Sequence, residues 1–127
     1  MRNRKAGYGL CQGDNAYGCP VEATLDVIGG KWKGVILYHL TGGTVRFNEF
    51  RRLMPGITQR MLTLQLRELE SDGLIRREVF QEIPPRVEYS LTELGRTLEE
   101  IILAMRAWGE KYQRLSARDG AAEDAGR

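Results

Sequence analysis

Residues 55–73 read PGITQRMLTLQLRELESDG, and this stretch decides how the rest of the chain is to be read. Pro55 and Gly56 end whatever helix precedes them, since proline has no amide hydrogen to donate and glycine tolerates turn geometry. Thr58 places a hydroxyl where a helix needs an acceptor for its first free N–H groups, and no breaker follows until Asp72 and Gly73. On a projection at about 100° per residue, Leu62, Leu66 and Leu69 fall within about 60° of one another, a stripe for a core. Relative to Leu62, Thr63 lies at about 100°, Arg67 at about 140°, Arg60 at about 160° and Leu64 at about 200°. The outward face is basic and small towards the N-terminal end, while Glu68, Glu70 and Asp72 collect towards the other end.

The flanking sequence supplies the context. Upstream, Pro20 suits the first turn of a helix in which Val21, Leu25 and Ile28 repeat until Gly29 and Gly30. A second helix follows from Lys31, with Trp32, Val35, Ile36 and Leu40 on one stripe before Gly42 and Gly43. A third, after Val45 and Arg46, carries Phe47, Phe50, Leu53 and Met54. Downstream, the run Leu74, Ile75, Val79, Phe80 and the alternating Val87, Tyr89, Leu91 predict two antiparallel strands joined by a turn at Pro84 and Pro85. Thr92 caps a long last helix whose Leu94, Leu98, Ile101, Ile102, Met105, Trp108 and Tyr112 share one broad apolar stripe. Three short helices, a tight turn, a longer helix and a hairpin describe an α+β winged helix-turn-helix: mostly helical, with a two- to three-stranded wing and a long C-terminal dimerisation helix. The expected organisation is a mobile segment over 1–18, the folded domain over 19–112 and a frayed tail over 113–127.

Composition bounds the function without choosing it. The chain has 127 residues, 42% hydrophobic and 28% charged, which fits one globular domain. Its apolar runs, such as Val35 to Tyr38, fall far short of the roughly 20 residues a membrane helix requires, and no secretory leader is legible, so a cytoplasmic location without membrane association is expected. Two cysteines and one histidine, His39, are too few for a structural zinc site, and no cofactor or metal is expected. The net charge is only +2, and residues 31–91 hold ten basic and seven acidic side chains, a small excess that by itself fits a solvated surface better than a nucleic-acid partner.

Position makes the case for double-stranded DNA as the partner. Arg60 or Arg67 could donate two hydrogen bonds to guanine O6 and N7, Gln59 could pair with adenine, and Thr63 or Leu64 could touch a thymine methyl. Thr58 opens the same helix and completes the candidate set. Arg86, at the stiff proline turn, could enter the minor groove or meet a phosphate. The alternatives are a winged helix that binds only protein, and an enzyme built on a Cys19 and His39 pair. The second lacks a nucleophile turn, a carboxylate pair and a phosphate loop, so no catalytic residue is expected.

The stretches VIGGKWK (27–33), RFNEFRRL (46–53), PGITQRMLTLQLRELE (55–70), DGLIRR (72–77) and PPRVEYSLTELG (84–95) together resemble the HxlR-type branch of bacterial winged-helix regulators, relatives of the MarR family. The resemblance spans about Cys19 to Tyr112. It implies a homodimeric transcription factor whose fourth helix reads DNA, whose wing touches the flanking groove and whose terminal helices pair. Leu98, Ile101, Met105, Trp108 and Tyr112 are the expected interface, in keeping with an apolar stripe wider than so small a domain can cover alone. Two-fold symmetry then implies an inverted-repeat operator. Cys19, just before Pro20, stands at a helix N-terminus where a thiolate is stabilised, and it matches the position where redox- and electrophile-responsive relatives carry a cysteine. It is either a sensor of a small oxidant or electrophile, or an inert buried residue. Cys11 is either its resolving thiol or without a role.

Overall fold

The computed structural model describes residues 18–125, with side chains as far as residue 118. The mobile segment expected at the N-terminus, Cys11 included, therefore lies outside the described residues apart from Gly18. The elements run α1 (Pro20–Ile28), α2 (Lys33–Leu40), β1 (Val45–Arg46), α3 (Phe47–Leu53), α4 (Gln59–Ser71), β2 (Ile75–Phe80), β3 (Arg86–Leu91), α5 (Glu93–Arg96) and α6 (Glu99–Ala125). Among them no helix is long and apolar enough to cross a membrane.

The core forms where the faces of α2, α3, α4 and the sheet meet. Leu62, Leu66 and Leu69 of α4 are buried with Ile36, Leu37 and Leu40 of α2, Phe50 and Met54 around α3, and Ile75, Tyr89 and Leu91 of the strands. Each such side chain withdrawn from water stabilises the fold by roughly 1.5–3 kcal/mol. The stripe expected on α2 is corrected by one residue: Val35 faces solvent and Leu37 is buried. An eight-residue helix wedged between α4 and α6 is covered on more than one side, so a single-stripe pattern misassigns its edge. Lys33 is buried in the same helix and forms an ion pair of 2.5 Å with Glu68 of α4.

The sheet has a third strand beside the two predicted as a hairpin. Its order is β1-β3-β2, all antiparallel, with Val45 opposite Tyr89 and Arg77 opposite Tyr89 on the other side. Two residues of β1 carry too little alternation to be visible in sequence. Gly73, at φ 80°, makes the left-handed turn that carries the chain from α4 into β2.

The last helix is also not the single rod expected after Thr92. Thr92 caps α5 as predicted, accepting from the Gly95 N–H at 3.0 Å, and its hydroxyl donates to the Gly73 carbonyl at 2.6 Å. Gly95 then lies so close to the residue preceding β2 that a Cβ on it would stand 2.0 Å from the Leu74 carbonyl oxygen. The chain tightens into three-residue hydrogen bonds, Thr97 N to Leu94 O and Leu98 N to Gly95 O, before α6 begins. α6 continues to Ala125, beyond the Leu115 after which fraying is expected, through a stretch rich in helix-forming alanine.

Candidate nucleic-acid interface

The cap predicted at Thr58 is present: its hydroxyl accepts the Met61 N–H at 3.0 Å, in an extended backbone conformation at φ −78°, ψ 156°. That commits the Thr58 side chain to holding the helix start. From there α4 turns its apolar stripe inwards and leaves Gln59, Arg60, Thr63, Leu64 and Arg67 around one shallow hollow of about 510 Å³ on its outer face. Gln59, Arg60, Leu64 and Arg67 are exposed, and Thr63, half-buried, donates its hydroxyl to the Gln59 carbonyl at 2.9 Å. Five of the residues singled out from sequence are thus brought together on one face by helical spacing alone. The side chains free to donate to base edges there are Gln59, Arg60 and Arg67, with Leu64 an apolar knob between them.

The wing differs from expectation. Arg86 does not project from the turn. Its guanidinium pairs with Glu82 at 3.2 Å and with Glu88 at 3.3 Å, and lies over the Phe80 ring with its Cζ 4.2 Å from the centroid. Two carboxylates and an aromatic face hold it against its own hairpin, which neutralises the charge and stiffens the strand ends. The sequence shows Arg86 beside two prolines but not the register that sets it opposite Phe80. At the apex Ile83 is wholly exposed, preceding a cis peptide bond to Pro84.

Between α4 and the hairpin lies a second hollow of about 360 Å³, lined by Phe47, Thr63, Arg67, Glu70, Arg77, Val87 and Tyr89. Tyr89 is buried and meets Phe50 edge-on at 6.1 Å. Burial pushes its phenol above the ordinary 10.0, against the opposing pull of the Arg77 guanidinium, which hydrogen-bonds to it. Arg77 is not distinguished in the sequence from other surface charges, although the alternation Ile75, Arg77, Val79 sets it on the same side of the strand as the core residue Ile75.

The expected interface on the last helix divides. Leu98 packs against the core and Ile102 is buried, so Leu98 drops out of the outward set. Ile101, Met105, Trp108 and Tyr112 remain exposed, joined by Leu115, and Trp108 stacks on Tyr112 at 5.3 Å. On α1, Val21 and Leu25 are exposed as well.

Cys19 is the N-cap of α1 and, of the two alternatives left open by the sequence, is buried rather than an accessible thiolate. It is 1% exposed, makes no side-chain cap hydrogen bond and is disulfide-bonded. A sulfur in a disulfide does not ionise, so neither the pairing with His39 nor a lowered pKa applies to this state. His39 lies on α2 beside Tyr38, and its partial burial lowers its pKa below the ordinary 6.5.

The sequence model of the HxlR-like helix-turn-helix family matches residues 27–117. The chain is similar to the HTH-type transcriptional regulator YdeP of Bacillus subtilis (strain 168), with 68% identity over 113 residues, 89% of this chain and 88% of YdeP. Among solved structures it is similar to the redox regulator HypR in its oxidised form, at 70% identity and a TM-score of 0.71, over 73% of this chain and 96% of that one. The reduced form of HypR gives 65% identity and a TM-score of 0.73, over 78% and 98%.

Proposed function

The chain belongs to the HxlR-like helix-turn-helix family and is a DNA-binding transcriptional regulator, and we propose that it works as a homodimer on an inverted-repeat operator, in the cytoplasm with the chromosome. The observation that carries the reading is the outer face of α4, where Gln59, Arg60, Thr63, Leu64 and Arg67 share one hollow on a helix anchored by three buried leucines. A rigid helix presenting donors on one face can hold them in register with base edges. The reading is of a binding protein and not of an enzyme.

The pairing element is the outer seam of α6. Ile101, Met105, Trp108, Tyr112 and Leu115 recur at alternating steps of four and three residues, the seam along which two helices interlock. With Val21 and Leu25 of α1 they offer an apolar surface for a second copy of the chain. Two α4 helices then face the same side of a duplex about one helical turn apart.

Cys19 adds a redox input to the proposal. Two thiols joining into a disulfide give up two electrons and two protons to an oxidant. The resulting bond sits at the start of α1, beside the proposed pairing surface, where it can bias how two copies meet. Similarity to the redox regulator HypR supports this reading.

The test is electrophoretic mobility of a duplex from the region upstream of its own gene, with and without diamide. Arg60→Ala should weaken binding by about 1–3 kcal/mol and relax base preference. Arg86→Ala should weaken all sequences evenly and by less, through a loosened wing. Diamide should change binding by the reduced wild type but not by Cys19→Ser. Failure to retard any duplex would leave the protein-binding winged helix as the better account, and an equal diamide response in Cys19→Ser would end the redox part alone.

A further inference from the structure

The cleft between α4 and the hairpin is lined by two arginines, Arg67 and Arg77, that take part in no ion pair among the described residues. Arg77 stands on the core side of β2, opposite Tyr89, where a strand of this register would ordinarily place an apolar residue. Arg67 opens onto the same cleft from α4. Among the described residues, no carboxylate lies within ion-pairing distance of either guanidinium. This sets them apart from Arg86, whose charge is cancelled by Glu82 and Glu88 on the same hairpin. Arg77 is also placed by the strand register, directly across from Tyr89, whose ring is fixed in the core against Phe50.

We propose that this cleft seats one phosphodiester of the DNA backbone, held by Arg67 from the helix and Arg77 from β2. The proposal rests on the DNA-binding reading above and gives it a contact that the sequence did not single out. When a helix lies in the major groove and its wing reaches the adjoining groove, the sugar-phosphate strand dividing the two grooves must pass between them. The cleft is what lies between them here. Glu70 on its wall leaves the site with a single net positive charge, matched to the single negative charge of a diester and less favourable to a dianionic phosphate monoester. Arg67 then serves position and affinity, and base reading falls to Gln59, Arg60 and Leu64.

The experiment is fluorescence anisotropy of the full chain with two labelled duplexes, the region upstream of its own gene and a scrambled sequence of equal composition, from about 50 to 200 mM salt. Arg67→Gln and Arg77→Gln should each weaken binding to both duplexes, by about tenfold. The double variant should flatten the slope of log K against log salt by about 0.9, the value for one phosphate. Arg77→Lys should retain most of the slope, and Arg96→Gln, on α5, should behave as wild type. Circular dichroism checks folding, and if Arg77→Gln fails to fold, Arg67→Gln at an exposed helix position decides the matter. An unchanged slope in the double variant, or a loss confined to one duplex, would overturn the phosphate seat while leaving the DNA reading intact. Wild type that binds neither duplex at the lowest salt would overturn both. Inorganic phosphate at matched ionic strength should compete no better than chloride, and a stronger effect in wild type than in Arg77→Gln would reassign the cleft to a free anion.

Discussion

Helices α4 and α6 carry the same kind of apolar repeat and meet opposite fates. On α4 every residue of the stripe is buried, with Leu62, Leu66 and Leu69 at 0%, 1% and 0% exposure. On α6 Ile102 is buried, while Met105, Trp108 and Tyr112 stay about half or more exposed at 49%, 65% and 56%. Periodicity reports that a face is to be covered, and does not say by which molecule. A helix that closes its own core acts as scaffold for whatever its other face displays. One that leaves a wide apolar seam open stores its stabilisation for association.

That contrast is broken most forcefully at α4. Leu66→Ala should cost about 2–5 kcal/mol of folding stability, seen as a lower midpoint in urea denaturation, because its site is fully enclosed. An effect below about 1 kcal/mol would mean that the interior can collapse around the gap. Trp108→Glu should leave the unfolding of the single chain nearly unchanged but raise the dimer dissociation constant by at least about thirtyfold, the loss expected of a central aromatic anchor. Sedimentation at micromolar concentration reads it directly, and a variant that remains dimeric would place the interface elsewhere. The smallest effect belongs to His39. Because its folded pKa lies below 6.5, the unfolded chain binds the proton more readily, so this contribution to stability is complete above about pH 7 and declines as pH falls through 6.5 towards the folded value. His39→Gln should remove that slope between about pH 7 and 5, and an unchanged profile would assign it to the carboxylates.

Much of this was legible in the sequence because local chemistry and tertiary structure agree there. Thr58, the three leucines and the Pro55-Gly56 stop define α4 without reference to anything distant, and its outer face follows from geometry. What was not legible depends on partners far along the chain. The break between α5 and α6 comes from Gly95 pressing on Leu74. The retreat of Arg86 requires Phe80 and Glu88 to be set beside it by strand register. Arg77 reads as one more surface charge until Tyr89 is placed opposite it. Cys19 was recognised by position with burial as one of two alternatives, and the choice between them depends on the interior it closes, which no window of sequence contains.

The ion pair between Lys33 and Glu68 has one more consequence. It ties α4, the helix proposed to read bases, to α2, the helix on which α6 rests, through a buried lysine. The three helices therefore form one truss, and the aim of α4 is inherited from struts that lie outside the proposed DNA-facing surface. In the proposed dimer, side chains on the outer face of α4 can be exchanged to alter which letters are read, while the distance between the two words stays with the truss. Vocabulary and spacing are in this way open to separate change.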